Sequence, residues 1–114
     1  MPYFSIETNK VMTNDERDVL AQQTSHFIAD LLGKPEQYVM IAIKPGTSMS
    51  FGGDLKPAAF VELKSIGLPV DRCSDFAWSI SNYLQEHLGI VEDRVFIDFK
   101  DLQRNLFAWN GKTF

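Results

Sequence analysis

The stretch LGKPEQYVMIAIK, from Leu32 to Lys44, decides the fold because a related stretch follows it 56 residues later. The second stretch, LGIVEDRVFIDFK, runs from Leu88 to Lys100. Each begins with a Leu-Gly pair that ends a helical pattern, since glycine is common just beyond the end of a helix. The first ends with the apolar run Val39–Ile43 and Lys44, and the second ends with Arg94–Lys100, which alternates as a strand does. The repeat therefore predicts two equivalent helix-to-strand connections.

The residues before each stretch extend the repeat to two halves, about 2–44 and 58–100. Each half opens with a predicted strand, Tyr3–Thr8 in the first and Ala59–Ile66 in the second. These segments are rich in β-branched and aromatic residues, and alternation of side chains puts every second residue on the same face. Each half therefore reads as strand, helix and strand.

A helix joins the two strands of each half. Thr13 with Glu16 three residues later has the form of a capping box at the start of the first helix. Asp71 or Ser74 is expected to cap the second helix. A stripe at helical spacing follows each cap and predicts the face toward the core. Its members are Leu20, Thr24, Phe27, Ile28, Leu31 and Leu32 in the first helix, and Phe76, Ala77, Ile80, Leu84 and Leu88 in the second.

Together these elements predict an α+β fold in a single domain of residues 1–114. Two pseudo-symmetric βαβ units, each with a right-handed crossover, form a four-stranded mixed sheet with both helices on one face. A short last strand is expected over Leu106–Trp109. The turn signal Asn110-Gly111 then returns Phe114 to lie beside that strand.

The continuous apolar run Val39–Ile43 predicts a strand that is buried on both faces. The helices cover only one face of the predicted sheet, so the other face needs cover from another subunit. A solvated sheet would show polar residues alternating within this run, and the run contains none. The sequence therefore predicts an oligomer whose sheets pack against one another.

Composition and charge exclude several classes of function. The chain has 114 residues, a net charge of −4 and a pI near 5.0, which argues against a nucleic-acid partner. No apolar run reaches the length of a membrane span and no leader pattern is present, so we expect a cytoplasmic protein without a membrane partner. Cys73 is the only cysteine, and His26 and His87 have no ligand-like spacing. We therefore expect no metal site and no cofactor.

The repeat is broken at two positions that carry chemistry. Pro2 aligns with Ala58, and Lys34 aligns with Ile90. If processing removes Met1, Pro2 becomes a terminal secondary amine, and α-amino groups have a reference pKa of about 7.7–8.0. Burial or a nearby cation lowers that pKa and produces a general base. The alternative is that Pro2 merely follows the start and that Lys34 is a solvated cation at a helix end.

With these features the chain resembles the macrophage migration inhibitory factor family of the tautomerase superfamily, over essentially its whole length. The blocks that carry the resemblance are Met1-Pro2-x-Phe4, Gly33-Lys34-Pro35-x-Gln37-Tyr38, Met49-x-Phe51-Gly52-Gly53, Ser65-Ile66-Gly67, Asp93-Arg94-Val95-x-Ile97, and Trp109-Asn110 with Thr113-Phe114. The resemblance implies a homotrimer with an active site at each subunit interface, where the short extra strands also lie. It further implies keto–enol tautomerisation of α-keto acids such as phenylpyruvate.

The resemblance also implies roles for individual residues. Pro2 would act as the base, and Lys34 with the Ile66 N–H would bind the substrate anion. Residues of the Phe96–Asp98 strand would come from the neighbouring subunit. The remaining substrate-binding residues implied are Ser65, Tyr38, Phe107, Trp109 and Phe114.

Two positions depart from the family pattern, which commonly has Tyr and Asn where this chain has Phe96 and Asp98. Phe96 lacks a hydroxyl that could orient substrate, and an ionised Asp98 would repel an anionic substrate and favour a protonated Pro2. Weaker catalysis or a shifted substrate preference is therefore expected. One alternative is a cytokine-like binding or signalling protein with a vestigial pocket, for which the resemblance leaves non-classical secretion open. Another is a ferredoxin-like binding domain without chemistry.

Overall fold

Each half of the chain folds as strand, helix and strand in a computed structural model that describes residues 1–114. The first half contains β1 (Tyr3–Thr8), α1 (Asn14–Leu32) and β2 (Met40–Lys44). The second half contains β3 (Ala59–Ile66), α2 (Cys73–Leu88) and β4 (Val95–Leu102). Two short strands, β5 (Ala108–Trp109) and β6 (Lys112–Thr113), complete the chain.

The four long strands form one mixed sheet in the order β2-β1-β3-β4. β1 pairs in parallel with β2, and β3 pairs in parallel with β4, as a helical crossover between the paired strands requires. β1 and β3 are antiparallel at the centre, with Tyr3 opposite Lys64 and Thr8 opposite Ala59. The predicted α+β fold of two pseudo-symmetric βαβ units is therefore confirmed.

The core lies between this sheet and the two helices. Phe4 of β1 and Leu63 of β3 are fully buried, as are Ile28 of α1 and Ile80 of α2. Full burial of such a side chain stabilises the fold by roughly 1.5–3 kcal/mol. The same packing holds the central strand β1 in place, and with it the N-terminal residues that precede this strand.

The predicted capping box at the start of α1 is confirmed. The Thr13 N–H donates to Glu16 Oε1 at 2.9 Å, and the Glu16 N–H donates to Thr13 Oγ1 at 3.1 Å. Gly33 ends the helix in the left-handed conformation with φ 63°, where a side chain would be strained. No helix of the chain combines the length and the apolar character that a membrane crossing requires.

The predicted cap of α2 is wrong, because neither Asp71 nor Ser74 occupies the capping position. Arg72 precedes the first helical residue, and its side chain makes no capping hydrogen bond. A single 3₁₀ turn over Val70–Arg72 runs directly into the helix. Arg72 therefore has φ −102° and ψ 1°, and not the extended conformation from which a side chain usually caps a helix.

The outer strands differ from the predictions in their bounds and their burial. β2 covers Met40–Lys44 where Val39–Ile43 was predicted, and β4 covers Val95–Leu102 where Arg94–Lys100 was predicted. Met40 is 65% exposed because β2 is an edge strand of the sheet. Burial on both faces is therefore not achieved within one chain.

The face of the sheet away from the helices carries charged side chains on β3 and β4. Lys64 Nζ lies 3.3 Å from Glu62 Oε2, and Lys100 Nζ lies 3.4 Å from Asp98 Oδ2. The strand register puts Glu62 beside Asp98 and Lys64 beside Lys100. This face is thus more polar than the apolar run of β2 alone indicates.

The C-terminal residues form a separate two-stranded sheet of β5 and β6. Asn110 and Gly111 have φ values of 55° and 80°, as a tight hairpin turn of this type requires. The Phe114 N–H donates to the Phe107 carbonyl at 3.1 Å, so the predicted return of the chain is confirmed. β5 is shorter than the predicted strand Leu106–Trp109, however, because Leu106 belongs to a 3₁₀ turn that precedes it.

Candidate functional site

A cavity of about 350 Å³ opens at the N-terminal end of β1. Its walls are mostly apolar, which is typical of a site for a small organic molecule. Residues from the N-terminus, the segment before β2, β3 and the C-terminal hairpin meet there. The lining residues are Met1, Pro2, Tyr3, Gln37, Tyr38, Val39, Met40, Lys64, Phe107, Ala108 and Trp109.

Pro2 is buried at this cavity and is held by the sheet. Its carbonyl accepts a hydrogen bond from the Met40 N–H at 3.0 Å, which adds to the parallel pairing of Tyr3 with Met40. While Met1 is attached, the Pro2 nitrogen is an amide and the free amine belongs to Met1. Both residues line the cavity, so removal of Met1 would leave the terminal amine facing the same space.

The surroundings of the N-terminus favour a neutral amine. Burial is the larger effect that lowers the pKa of the Met1 amine, and the Lys34 ammonium lowers it further. Lys34 is placed by the end of α1, where its N–H donates to the Ala29 carbonyl at 3.0 Å immediately after the left-handed Gly33. Lys34 does not itself line the cavity, but its charge acts on the amine that does.

Aromatic side chains form one wall of the cavity. Tyr38 and Trp109 meet edge to face with ring centroids 5.5 Å apart. Phe107 stacks on Phe114 at 6.0 Å, so Phe114 supports the wall from behind without lining the cavity. The hairpin of β5 and β6 thus brings Phe107 and Trp109 to the cavity that Pro2 lines, and Phe114 packs against Phe107.

Ser65 and Ile66 are buried at the end of β3 and do not line the cavity. The antiparallel pairing of Tyr3 with Lys64 nevertheless directs the end of β3 toward the N-terminus. The Ser65 hydroxyl donates a hydrogen bond to the Ile66 carbonyl at 3.4 Å. The predicted role of these two residues in substrate binding therefore stays a prediction.

Phe96 and Asp98 lie on β4, away from the cavity of their own chain. Phe96 is 62% exposed and packs against Phe51 with ring centroids 4.8 Å apart. Asp98 is paired with Lys100 on the open face of the sheet. The structure of one chain does not bring these two residues to Pro2, and their arrival from a neighbouring subunit stays a prediction.

Sequence reasoning missed seven of the cavity residues, which are Met1, Tyr3, Gln37, Val39, Met40, Lys64 and Ala108. Lys64 could have been found, because an antiparallel pairing of the two predicted first strands places the end of β3 beside Tyr3. Gln37 stood within a block that carried the family resemblance, but no chemical signal distinguished it. Met40 and Ala108 contribute mainly shape, which the sequence pattern does not specify.

Other reactive groups of the chain do not form a second centre. No group of three or more His, Cys, Asp or Glu side chains is arranged to hold a metal ion. Burial, and then the charges of Asp71 and Asp101, raise the pKa of the Cys73 thiol, which disfavours the nucleophilic thiolate. The cavity at Pro2 is therefore the candidate site.

Comparison with known proteins agrees with this geometry. The sequence model of the macrophage migration inhibitory factor family matches residues 1–114. A macrophage migration inhibitory factor homolog of Trichinella spiralis is 38% identical, with all of both chains covered, and the factor of Xenopus tropicalis is 35% identical over all of this chain and 99% of its own. The solved homologue from Prochlorococcus marinus has a TM-score of 0.90 at 37% identity over 98% of both chains. The chain therefore belongs to the macrophage migration inhibitory factor family of the tautomerase superfamily.

Proposed function

We propose that this chain is a keto–enol tautomerase that acts on α-keto acids such as phenylpyruvate, with Pro2 as its general base after removal of Met1. The observation that carries the proposal is that burial and Lys34 lower the pKa of the Met1 amine, at the wall of an apolar cavity that Pro2 also lines. A neutral amine of this kind can accept a proton near neutral pH without help from histidine or a carboxylate. Family membership supports the same reaction class.

The reaction needs one group that moves a proton and others that hold an anion. The Pro2 nitrogen takes a proton from C3 of the keto acid, the C–H electron pair forms the C2–C3 double bond, and the carbonyl oxygen becomes an enolate. The protonated Pro2 nitrogen then gives up a proton, and the enolate oxygen gains one directly or through water, which forms the enol and restores the neutral amine. Ketonisation runs the same steps in reverse. Lys34 and the Ile66 N–H stabilise the negative charge, while the wall of Tyr38 and Trp109 binds the aromatic ring.

We also infer that the working form is a homotrimer in which residues 1–114 form one domain of each subunit. Met40 and Phe96 are both more than half exposed in one chain, on opposite edge strands of the sheet. A neighbouring subunit that brings the Phe96–Asp98 strand to the cavity would cover both edges and complete the aromatic wall. Sedimentation equilibrium tests this directly, because a monomer at working concentration would remove these two residues from the site.

The test of the proposed function is ketonisation of phenylpyruvate enol by protein whose N-terminus has been established by mass spectrometry. Processed wild-type protein is compared with Pro2→Ala and with a sample that retains Met1. We expect both comparison samples to lose roughly 10²–10⁴-fold in rate, the usual contribution of a general base. Near-background rates in all three samples would overturn the assignment and leave a cytokine-like binding or signalling role for the same fold.

A further inference from the structure

We propose that Lys64 makes this cavity selective for α-keto acids that carry a second carboxylate. The proposal rests on the proposed tautomerase function and names the substrate class of the same site. Its starting point is that Lys64 is the one basic side chain among the residues that line the cavity with Pro2. A buried or half-buried cation at a substrate cavity recognises negative charge.

The sheet holds Lys64 next to the base. Lys64 of β3 is directly opposite Tyr3 of β1, the residue that follows Pro2. Its ammonium lies 5.8 Å from the centroid of the Tyr3 ring. The side chain is 32% exposed, so its charge is accessible from the cavity and yet partly shielded from water.

Lys64 lines the cavity, whereas Lys34 lies outside its wall and acts on the terminal amine. Lys34 is the charged group that lowers the pKa of the terminal amine, and Lys64 has no part in that shift. The proposed function assigns to Lys34 the carboxylate and enolate that every α-keto acid has. Lys64 lines the cavity itself and is therefore the cation available to a second anionic group on C3.

The present partner of Lys64 is easily replaced. Its ammonium lies 3.3 Å from Glu62 Oε2, and the Glu62 side chain is 27% exposed. Ion pairs that remain in contact with water are weak, because solvent screens the charges and two side chains must be held in one geometry. A substrate carboxylate can therefore compete with Glu62, and removal of the Glu62 charge should strengthen binding of a dianion.

Phenylpyruvate and oxaloacetate form a matched pair of probes for this proposal. Both are α-keto acids that lose a proton from C3, and they differ only in the C3 substituent, phenyl in one and carboxylate in the other. Their intrinsic reactivities differ, but that difference cancels when each variant is described by the ratio of its two kcat/KM values. The ratio then measures how strongly the cavity prefers a carboxylate to a phenyl group on C3.

The experiment measures ketonisation of both enols by processed wild-type protein and by Lys64→Gln, Glu62→Gln and Lys56→Gln. Lys56 also pairs with a carboxylate, Asp54 at 3.5 Å, but lies outside the cavity and controls for the change in net charge. We expect Lys64→Gln to lower the oxaloacetate-to-phenylpyruvate ratio about tenfold, equivalent to about 1.4 kcal/mol. The change should appear mainly in KM for oxaloacetate, and Glu62→Gln should raise the ratio.

Two results would overturn the proposal in different ways. Turnover of phenylpyruvate enol with the same ratio in wild type and Lys64→Gln would refute the role of Lys64 and leave the proposed function intact. Turnover of neither enol by processed wild-type protein would refute the proposed function and this inference together. Lys64→Arg keeps the charge and should keep the ratio, which separates loss of charge from a general disturbance of β3.

Discussion

The two βαβ halves share one backbone plan but differ at the start of the first strand and at the end of the helix. In the first half Pro2 meets a cavity, and Lys34 acts on the amine there. In the second half Ala58 is 1% exposed and Ile90 is fully buried in the core. A repeated fold therefore does not repeat its chemistry, because the equivalent positions of the second half are closed by packing.

Hydrogen bonding strengthens this contrast. The Ala58 N–H donates to Asn9 Oδ1 at 3.0 Å, and the Ala58 carbonyl accepts from the Thr8 hydroxyl at 2.7 Å. The position equivalent to Pro2 is thus tied on both sides within a continuous chain. Only the first half can present a free amine. Only there does the residue that follows the helix cap, Lys34, act on such an amine through its charge.

The largest effect is expected when the charge of the first half is moved to the second with Ile90→Lys. Ile90 is fully buried, and an unpaired ammonium in an apolar core is strongly unfavourable. We expect the free energy of unfolding to fall by at least about 3 kcal/mol, measured by urea denaturation. Ile90→Val, which only removes a methylene, should cost about 0.5–1.5 kcal/mol. Similar losses for both variants would contradict the view that packing closes this position.

The reciprocal change, Lys34→Met, should leave the fold in place and remove catalysis. Lys34 is only half-buried, and its positioning depends on backbone hydrogen bonding, so stability should change little. Loss of one group that stabilises an oxyanion typically lowers kcat about 10²–10³-fold, and we expect a decrease of about 100-fold with phenylpyruvate enol. Lys34→Arg keeps the charge and should retain more activity; equal losses in both variants would argue for a purely steric role.

Lys34→Met also has a pH signature. The Lys34 cation lowers the pKa of the Met1 amine after the larger effect of burial, and the proposed function extends this effect to the Pro2 amine that processing exposes. If the neutral Pro2 amine is the base, activity rises with pH through its pKa, and removal of the Lys34 charge should raise that pKa. The acidic limb of the kcat/KM profile should therefore move to higher pH in Lys34→Met and return toward wild type in Lys34→Arg. If the acidic limb keeps its position in Lys34→Met, the charge of Lys34 does not influence the pKa of the base.

A smaller effect is expected from Asp98→Asn, which restores the residue that the family commonly has at this position. If the neighbouring subunit brings Asp98 to the cavity, its carboxylate repels an anionic substrate and favours the protonated base. We expect kcat/KM for phenylpyruvate enol to rise several-fold, up to about tenfold, and the acidic limb to move to lower pH. No change in either measurement would argue that Asp98 does not reach the site.

Sequence reasoning was most successful where one physical signal dominated. Alternation and the internal repeat placed β1 and β3 with correct bounds, and the Thr13–Glu16 spacing predicted a capping box that the structure contains. The Leu-Gly stops fixed the ends of both helices. These signals are local, so the residues that carry them are sufficient to determine the outcome.

The predictions were weaker where the outcome depends on distant contacts. Arg72 at the start of α2 carries no capping signal, because a preceding 3₁₀ turn sets its conformation. Lys64 was missed because its place at the cavity results from its pairing with Tyr3, and not from any motif of its own. The exposure of Met40 likewise follows from an edge position in the sheet, which an apolar run does not reveal.

The smallest effect concerns the helix starts, where the two halves differ again. Thr13→Ala removes the hydroxyl that accepts the Glu16 N–H, and loss of such a cap typically costs about 1 kcal/mol. Arg72→Ala removes no capping bond; its guanidinium lies 5.2 Å from the Phe76 ring centroid, a contact of about 0.5–1 kcal/mol. Thermal unfolding should therefore show the larger loss for Thr13→Ala.

The pH dependence of stability distinguishes the reciprocal cap of α1 from a surface contact when Glu16→Gln is compared with Arg72→Ala. The pKa of Glu16 is lowered chiefly by the hydrogen bond from the Thr13 N–H, so its ionised form is favoured in the fold. Its stabilising effect is complete above the ordinary glutamate pKa and is lost as pH falls through the lowered pKa. Glu16→Gln removes the titrating carboxylate, so the difference between wild type and Glu16→Gln should shrink in that acidic range, whereas the difference between wild type and Arg72→Ala should not. A constant Glu16→Gln effect would mean that the Thr13 hydroxyl caps the helix alone, without the reciprocal bond that only the first half possesses.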